Sequence, residues 1–215
     1  MKAVIIGGGS LDADFSLSYV KQEKPDMLIA VDRGLSFCHE AGLRPDVILG
    51  DFDSVDPAIL EGYRQEGIVP IDTYDSHKDY TDMELGMRKA LELGCSQAIL
   101  LGATGTRLDH TLTNIQCLPI LEDAGVAAWI VDKHNRIRLL SGKTVIRRSR
   151  QFGKYVSFLP FGGDVEGVTL KGFAYPLENF YLPYVNSRSV SNEIEEEEAE
   201  VSFTRGRLLM IESRD

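Results

Sequence analysis

The sequence lacks the features that mark disulfide-stabilised or membrane-spanning proteins. Its three cysteines, Cys38, Cys95 and Cys117, form no Cys-x-x-Cys pair, so neither a disulfide framework nor a zinc site is indicated. No apolar run approaches the roughly 18 residues of a membrane span, and no charged-then-apolar leader precedes the stretch "KAVIIGGGS". We therefore expect a cytoplasmic protein with reduced thiols and no membrane partner.

Basic residues are in the minority. The 23 lysines and arginines face 33 acidic residues, which gives a formal net charge of −10. Because neutralising nucleic-acid phosphates requires basic faces, we expect no nucleic-acid partner. An acidic balance is compatible with metal cations or with cationic small molecules. The 215 residues, 43% of them hydrophobic, are enough for one large domain or two modest ones.

The order of apolar and amphipathic segments predicts the fold class. The apolar runs lie at 3–6, 27–31, 47–49, 68–71, 98–101 and 127–131, and helix-like stretches lie near 11–21, 35–41, 57–66, 82–93 and 109–124. Strands that alternate with helices predict βαβ units, in which a mostly parallel sheet carries helices on both faces. This α/β fold class is expected for residues 1–135.

The pattern changes after about residue 140. Short strand-like pieces there are separated by glycine, proline and asparagine, and no amphipathic helix is evident. Such a pattern predicts a small antiparallel β-domain over residues 136–215. The acidic run Glu195–Glu198 is expected to be a solvated loop or face.

In a parallel sheet, ligands bind beyond the carboxyl ends of the strands, so the residues that follow each apolar run are the candidate site. The first run ends in Gly7–Ser10, which is either a tight turn or a loop that approaches a phosphate. The second ends in Asp32, Arg33 and Gly34, either a salt-bridged turn or a ligand contact.

The third run is followed by "GDFDS", which contains Asp51 and Asp53. Two residues spaced by two in an extended chain point to the same side. Paired carboxylate oxygens suit Mg²⁺, which usually takes one or two carboxylates together with substrate phosphates. A covalent nucleophile and a polar turn remain the alternatives.

The fourth run leads to "KDYTD" and a helix. Thr81 and Glu84 fit a capping box, and Asp82 suits the positive end of the helix dipole. Lys78 is unfavourable at that end unless an anion or carboxylates, such as Asp79, lie nearby.

The fifth run is followed by "GATGTRLDHTLTN". Arg107 offers a planar guanidinium for phosphate oxygens. Asp109 is either a helix N-cap or part of the site, and His110 is either an acid–base group or an orienting hydrogen-bond donor. Asn114 lies in the next helical turn. Together the strand ends form a constellation suited to Mg²⁺ and a polyphosphate.

These motifs, in this order, carry a family resemblance. They are "VDRG" at 31–34, "GDFDS" at 50–54, "KDYTD" at 78–82, "GATGTRLDHTLTN" at 102–114, "YPLENFYLP" at 175–183 and "SVSNE" at 189–193. Over nearly its whole length, the chain resembles the thiamine pyrophosphokinase (thiamine diphosphokinase) family.

The resemblance implies an α/β catalytic domain followed by a β-sandwich domain that binds thiamine. It also implies a homodimer whose active site lies in a cleft between the two domains at the subunit interface. Members of the family transfer the pyrophosphoryl group of ATP to the hydroxyl of thiamine, which gives thiamine diphosphate and AMP. The implied cofactor is Mg²⁺, with ATP as co-substrate.

The resemblance also implies roles for individual residues. The expected catalytic residues are Asp51, Asp53, Asp79, Asp82, Arg107 and Asp109, and the expected metal ligands are Asp51, Asp53 and Asp79. The expected nucleotide-binding residues are Asp32, Lys78, Thr81, Arg107, His110 and Asn114. Ser191 and Asn192 are expected to face thiamine. For the general base, Asp79 is favoured over Asp51.

Two positions depart from the family pattern. Thr106 stands where a second glycine usually precedes the arginine, and Arg33 replaces the first glycine of an Asp-Gly-Gly turn. Both changes thicken loops that approach phosphates, so nucleotide preference or rate is expected to differ.

Two other functions remain open at this point. In a phosphohydrolase of the haloacid dehalogenase type, Asp51 would be the nucleophile and Asp53 the acid–base group. A non-catalytic sensor of thiamine or nucleotide would keep the pocket without needing the carboxylates.

Overall fold

The computed structural model of the chain describes residues 1–74 and 79–215. The chain divides into two compact units, Met1–Lys133 (unit 1) and His134–Asp215 (unit 2). Within the described residues, no helix combines the length and the apolar character needed to cross a membrane.

Unit 1 alternates strands and helices. The strands are β1 (Lys2–Ile6), β2 (Met27–Val31), β3 (Val47–Gly50), β4 (Ile71–Thr73), β5 (Gln97–Leu101) and β6 (Ala127–Val131). The helices are α1 (Ala13–Glu23), α2 (Gly34–Glu40), α3 (Pro57–Glu66), α4 (Asp82–Glu92), α5 (Leu108–Gln116) and α6 (Pro119–Glu122). The strands pair in parallel in the order β4-β3-β2-β1-β5-β6.

The composition of the strands explains this sheet. Residues Ala3–Ile6 of β1 are fully buried, and β5 is buried from Ala98 to Leu101. Parallel strands that are covered on both faces are continuously apolar, which is the pattern seen here. The predicted α/β fold class, a mostly parallel sheet flanked by helices, is therefore confirmed.

Three predicted boundaries were wrong for local reasons. Strand β4 begins at Ile71 and not at Ile68, where the apolar run begins. Pro70 has no amide hydrogen to donate to a neighbouring strand, and the side chain of Ile68 is 68% exposed. The single helix expected over 109–124 is two helices, since Pro119 cannot donate the next helical hydrogen bond. Helix α1 begins at Ala13, where the Asp12 carboxylate accepts a hydrogen bond from the Phe15 amide at 3.0 Å.

Unit 2 is built from antiparallel strands. They are β7 (Asn135–Leu140), β8 (Thr144–Arg147), β9 (Tyr155–Pro160), β10 (Val165–Lys171), β11 (Leu177–Leu182), β12 (Asn192–Glu193), β13 (Glu198–Ser202) and β14 (Leu208–Ser213). They form two sets, β12-β9-β14-β7 and β11-β10-β13-β8. Both sets contribute to one buried core, in which the rings of Phe158 and Phe173 meet edge to face at 5.5 Å. The predicted β-sandwich is confirmed.

The acidic run Glu195–Glu198 is exposed, as predicted, and its last residue begins β13. Glu198 lies directly opposite Arg147 of β8, and their charged groups are 3.2 Å apart. The carbonyl oxygen of Glu195 accepts a hydrogen bond from Arg148 at 2.9 Å. Glu198 and Arg147 therefore form a cross-strand pair of opposite charge.

Candidate active site

A cleft of about 360 Å³ lies at the carboxyl ends of β1, β2 and β5 in unit 1. The sheet order changes direction there, because β1 to β4 extend one way and β5 pairs on the other side of β1. Ligands of open α/β sheets bind at such switch points. Its lining includes Gly7, Gly8, Gly9, Asp32, Arg33, Thr81, Asp82, Gly102, Thr106, Arg107, His110 and Asn114.

Two of the three glycines after β1 are explained by backbone packing. The Gly7 amide donates to the Leu101 carbonyl and the Gly9 amide donates to the Gly102 carbonyl, both at 2.9 Å. A Cβ atom on Gly9 would lie only 2.4 Å from the carbonyl oxygens of Gly102 and Thr104. These contacts support the tight-turn interpretation for Gly7 and Gly9, since their amides are already used within the protein.

Three aspartates converge at the ends of β2 and β3. One carboxylate oxygen from each of Asp32, Asp51 and Asp53 lies within 4.8 Å of the other two. The parallel pairing of Val31 with Leu49 brings these strand ends side by side. Phe52, which separates Asp51 from Asp53, is buried and has a φ of 62°, so the backbone turns sharply between the two acids. We name Asp32, Asp51 and Asp53 the carboxylate group.

The carboxylate group is electrostatically unfavourable by itself. The charge of Asp51, followed by partial desolvation and the charge of Asp32, raises the pKa of Asp53. Oδ2 of Asp32 accepts a hydrogen bond from the Ser54 hydroxyl at 2.6 Å. Oδ1 of Asp32 is buried and has no hydrogen-bond partner within residues 1–74 and 79–215. Hard oxygen donors of like charge, one of them unsatisfied, fit a divalent cation such as Mg²⁺.

The predicted residues around α4 are only partly brought together. Asp79 is exposed and is not a member of the carboxylate group, whereas the charge of Asp82 contributes to the raised pKa of Asp53. Thr81 is the N-cap of α4, and its hydroxyl accepts a hydrogen bond from the Glu84 amide at 3.3 Å. Lys78 lies outside the described residues.

At the start of α5, Arg107 and Asp109 form an ion pair. Their closest atoms are 2.5 Å apart, and both side chains are exposed. Helix α5 begins at Leu108, so Asp109 lies in the first turn and is not the N-cap. His110 is exposed and lines the cleft. The buried Asn114 donates to the Ala103 carbonyl at 2.7 Å and thereby supports the loop after β5.

The Arg107–Asp109 pair gives a pH-dependent prediction. Hydrogen bonding to Arg107 lowers the pKa of Asp109 to about 2 from an ordinary 3.8. Because the folded-state pKa is depressed, any stabilisation by the pair is complete above pH 3.8 and is lost as the pH falls through about 2. In Arg107→Ala, we expect the Asp109 pKa to rise toward 3.8, as measured by carboxyl-carbon NMR titration.

Arg88→Ala is the matched control for this titration, since Arg88 is an exposed helical arginine that pairs with Glu84. It should leave the Asp109 curve unchanged. An unchanged curve in Arg107→Ala would contradict the ion pair.

The two candidate thiamine residues lie in unit 2. The Ser191 amide donates to the Ser157 hydroxyl at 2.9 Å, and Ser191 has a φ of 57°. Asn192 is 2% exposed, and its side chain bonds both the amide (2.9 Å) and the carbonyl (2.8 Å) of Tyr175. Asn192 therefore fixes the backbone at Tyr175, while its role toward thiamine stays a prediction.

Sequence reasoning missed Ser54 and gave Asp32 only a nucleotide-binding role. Asp32 and Ser54 are 22 positions apart and are hydrogen bonded. The motif "GDFDS" could have indicated Ser54, because Ser54 is its last residue and a serine beside paired acids is a natural hydrogen-bond donor.

Comparison with known proteins gives a consistent result. The family model "Thiamin pyrophosphokinase, catalytic domain" matches residues 20–130, and "Thiamin pyrophosphokinase, vitamin B1 binding domain" matches residues 143–208. The chain is 33% identical to thiamine pyrophosphokinase of Bacillus subtilis (strain 168) over 217 residues, and the match covers 100% of both chains.

Solved structures agree. The crystal structure of thiamine pyrophosphokinase from Bacillus subtilis matches with a TM-score of 0.89 and 29% identity, covering 100% of both chains. Thiamin pyrophosphokinase from Geobacillus thermodenitrificans matches with a TM-score of 0.83 and 32% identity, covering 100% of this chain and 98% of the other.

Proposed function

The chain belongs to the thiamine pyrophosphokinase family, and we propose that the carboxylate group and the adjacent cleft carry out the reaction of that family. The enzyme transfers the pyrophosphoryl group of ATP to the hydroxyl of thiamine, which gives thiamine diphosphate and AMP. ATP and thiamine are therefore its substrates. The observation that carries the assignment of the site is the convergence of three carboxylates within the part matched by the catalytic-domain model. The phosphohydrolase alternative finds no support in these relatives.

Asp32, Asp51 and Asp53 are our proposed ligands for Mg²⁺, each with one carboxylate oxygen. Support for this choice comes from Oδ1 of Asp32, which has no hydrogen-bond partner among the described residues, and from the repulsion within the carboxylate group. When bound, Mg²⁺ orients the phosphates and offsets negative charge that develops during transfer. Asp79, which sequence reasoning also placed among the ligands, lies outside the group, and we retain it as the candidate general base for the thiamine hydroxyl.

The other cleft residues bind and orient the nucleotide in this proposal. Arg107 lines the cleft and presents a guanidinium that can bind two phosphate oxygens. Asp109 holds that guanidinium in place before ATP arrives. Lys78 is proposed to neutralise a further phosphate oxygen, and His110 to orient the nucleotide.

We place the catalytic role in residues 1–135 and thiamine binding in residues 136–215, where Ser191 and Asn192 are the candidate contacts. We further propose a homodimer with its active site at the subunit interface. A cytoplasmic location is supported by the three free cysteines, two of which, Cys38 and Cys95, are buried.

The proposal is tested by following the products of ATP with and without thiamine. We expect AMP and thiamine diphosphate in equal amounts, only when thiamine is present, with loss in EDTA and recovery in excess Mg²⁺. ADP or free phosphate instead would indicate a different kinase or a phosphatase. Tight thiamine binding without turnover would indicate a sensor.

A further inference from the structure

The Ser54 hydroxyl ties two neighbouring strand ends together. Its Oγ atom donates to Oδ2 of Asp32 at 2.6 Å, from the loop after β3 to the residue that follows β2. The Asp32 amide also donates to the Leu49 carbonyl at 2.9 Å. The backbones are close here, since a Cβ atom on Gly50 would lie 3.1 Å from Cα of Asp32.

This hydrogen bond occupies one of the two carboxylate oxygens of Asp32. Asp32 has a φ of 47°, and its Oδ1 atom is buried without a hydrogen-bond partner in the described part of the chain. An unsatisfied buried carboxylate oxygen costs free energy. Without a fixed Oδ2, rotation of the carboxylate could bring either oxygen toward water. The hydrogen bond from the Ser54 hydroxyl to Oδ2 opposes that rotation, and Ser54 itself is exposed.

We propose that Ser54 is a positioning residue, which holds Asp32 so that its second carboxylate oxygen completes a cation site with Asp51 and Asp53. The inference rests on the Mg²⁺ site of the proposed function and adds a residue to which no role has been given. Ser54 acts through Asp32 and does not touch the cation. Hydrogen-bond partners of metal ligands fix ligand orientation, and their loss typically weakens metal binding about 10–100-fold.

The test measures Mn²⁺ affinity directly, by the electron paramagnetic resonance signal of free Mn²⁺, in the full-length protein with and without α,β-methylene-ATP. Ser54→Ala should weaken Mn²⁺ binding about 10–100-fold. Ser54→Thr retains a hydroxyl and should restore the affinity to nearly that of the unmodified protein. Ser18→Ala removes an exposed hydroxyl from α1 and should change nothing.

Kinetics provide a second readout that a general structural defect would not reproduce. In Ser54→Ala, the Mg²⁺ concentration for half-maximal rate should rise by the same factor as the Mn²⁺ dissociation constant, while kcat at saturating Mg²⁺ stays close to that of the unmodified enzyme. A loss of kcat that excess Mg²⁺ does not recover would overturn a positioning role.

The outcomes separate this inference from the proposed function. Equal Mn²⁺ affinity in Ser54→Ala and the unmodified protein overturns the role of Ser54 and leaves the metal site intact. If the unmodified protein binds no Mn²⁺ even with the nucleotide analogue, the proposed metal site fails, and the inference fails with it.

Discussion

Replacing Asp51 by asparagine is expected to lower kcat/KM for thiamine diphosphate formation by at least about 10²–10³-fold, the range seen when one preorganised electrostatic contact to a transition state is removed. Asp51 is a member of the carboxylate group, and it accepts the Asp53 amide hydrogen bond at 3.2 Å. Its charge is the largest cause of the raised pKa of Asp53. Asparagine retains the shape of the side chain but removes the charge that binds a cation. The rate of AMP release that depends on thiamine measures the effect.

Asp56→Asn is the matched control, five positions further along the chain. Asp56 is the N-cap of α3, and its carboxylate accepts a hydrogen bond from the Ala58 amide at 2.8 Å. Asparagine is an equally good N-cap, so this variant should keep its stability and its activity. An equal loss of activity in both variants would point to a general effect of charge or folding. Full activity in Asp51→Asn would place the catalytic centre elsewhere.

Gly9→Ala is expected to destabilise unit 1 by about 2–3 kcal/mol, the upper part of the usual range for overpacking. The added Cβ atom would lie 2.4 Å from two backbone carbonyl oxygens, Gly102 O and Thr104 O, so the loops after β1 and β5 would have to separate. These loops also line the cleft, and ATP affinity should fall together with stability. Urea denaturation, followed by circular dichroism, measures the free energy of unfolding.

Gly62→Ala is expected to stabilise the protein, in contrast to Gly9→Ala. Gly62 is exposed within α3, and an added Cβ atom would meet no atom within 4 Å. Alanine is the better helix former, so this variant should gain up to about 1 kcal/mol. Gly9→Ala could instead prove as stable as the unmodified protein and lose ATP binding. Gly9 would then be needed for the close approach of the backbone to a phosphate, which is the alternative that the sequence left open.

The fold could be predicted because burial leaves a clear pattern in the sequence. Strands such as Ala98–Leu101, buried on both faces, are continuously apolar, and their alternation with helices indicates a parallel sheet. The errors were local. The apolar pattern alone extended a helix past Pro119 and began β4 before Pro70, whereas proline, which has no amide hydrogen to donate, sets the boundary at both positions.

The site was predicted less completely, because its geometry depends on which strands are neighbours. Asp51 and Asp53 were recognised from their spacing, but that argument assumed an extended chain and was wrong in its reason, because the chain turns at Phe52, which has a φ of 62°. Asp32 joins them only because β2 pairs with β3, and the sequence does not state that order. The pairing of Asn114 with the Ala103 carbonyl is similarly a tertiary contact. The Arg107–Asp109 pair, two positions apart, was within reach of sequence reasoning.

The most direct test of the proposed centre is anomalous diffraction from Mn²⁺ in crystals grown with α,β-methylene-ATP, which cannot release AMP. The proposal predicts an Mn²⁺ peak within coordination distance of Asp32, Asp51 and Asp53 and in contact with the phosphates of the analogue. A nucleotide bound in the cleft with its Mn²⁺ away from these carboxylates would contradict it.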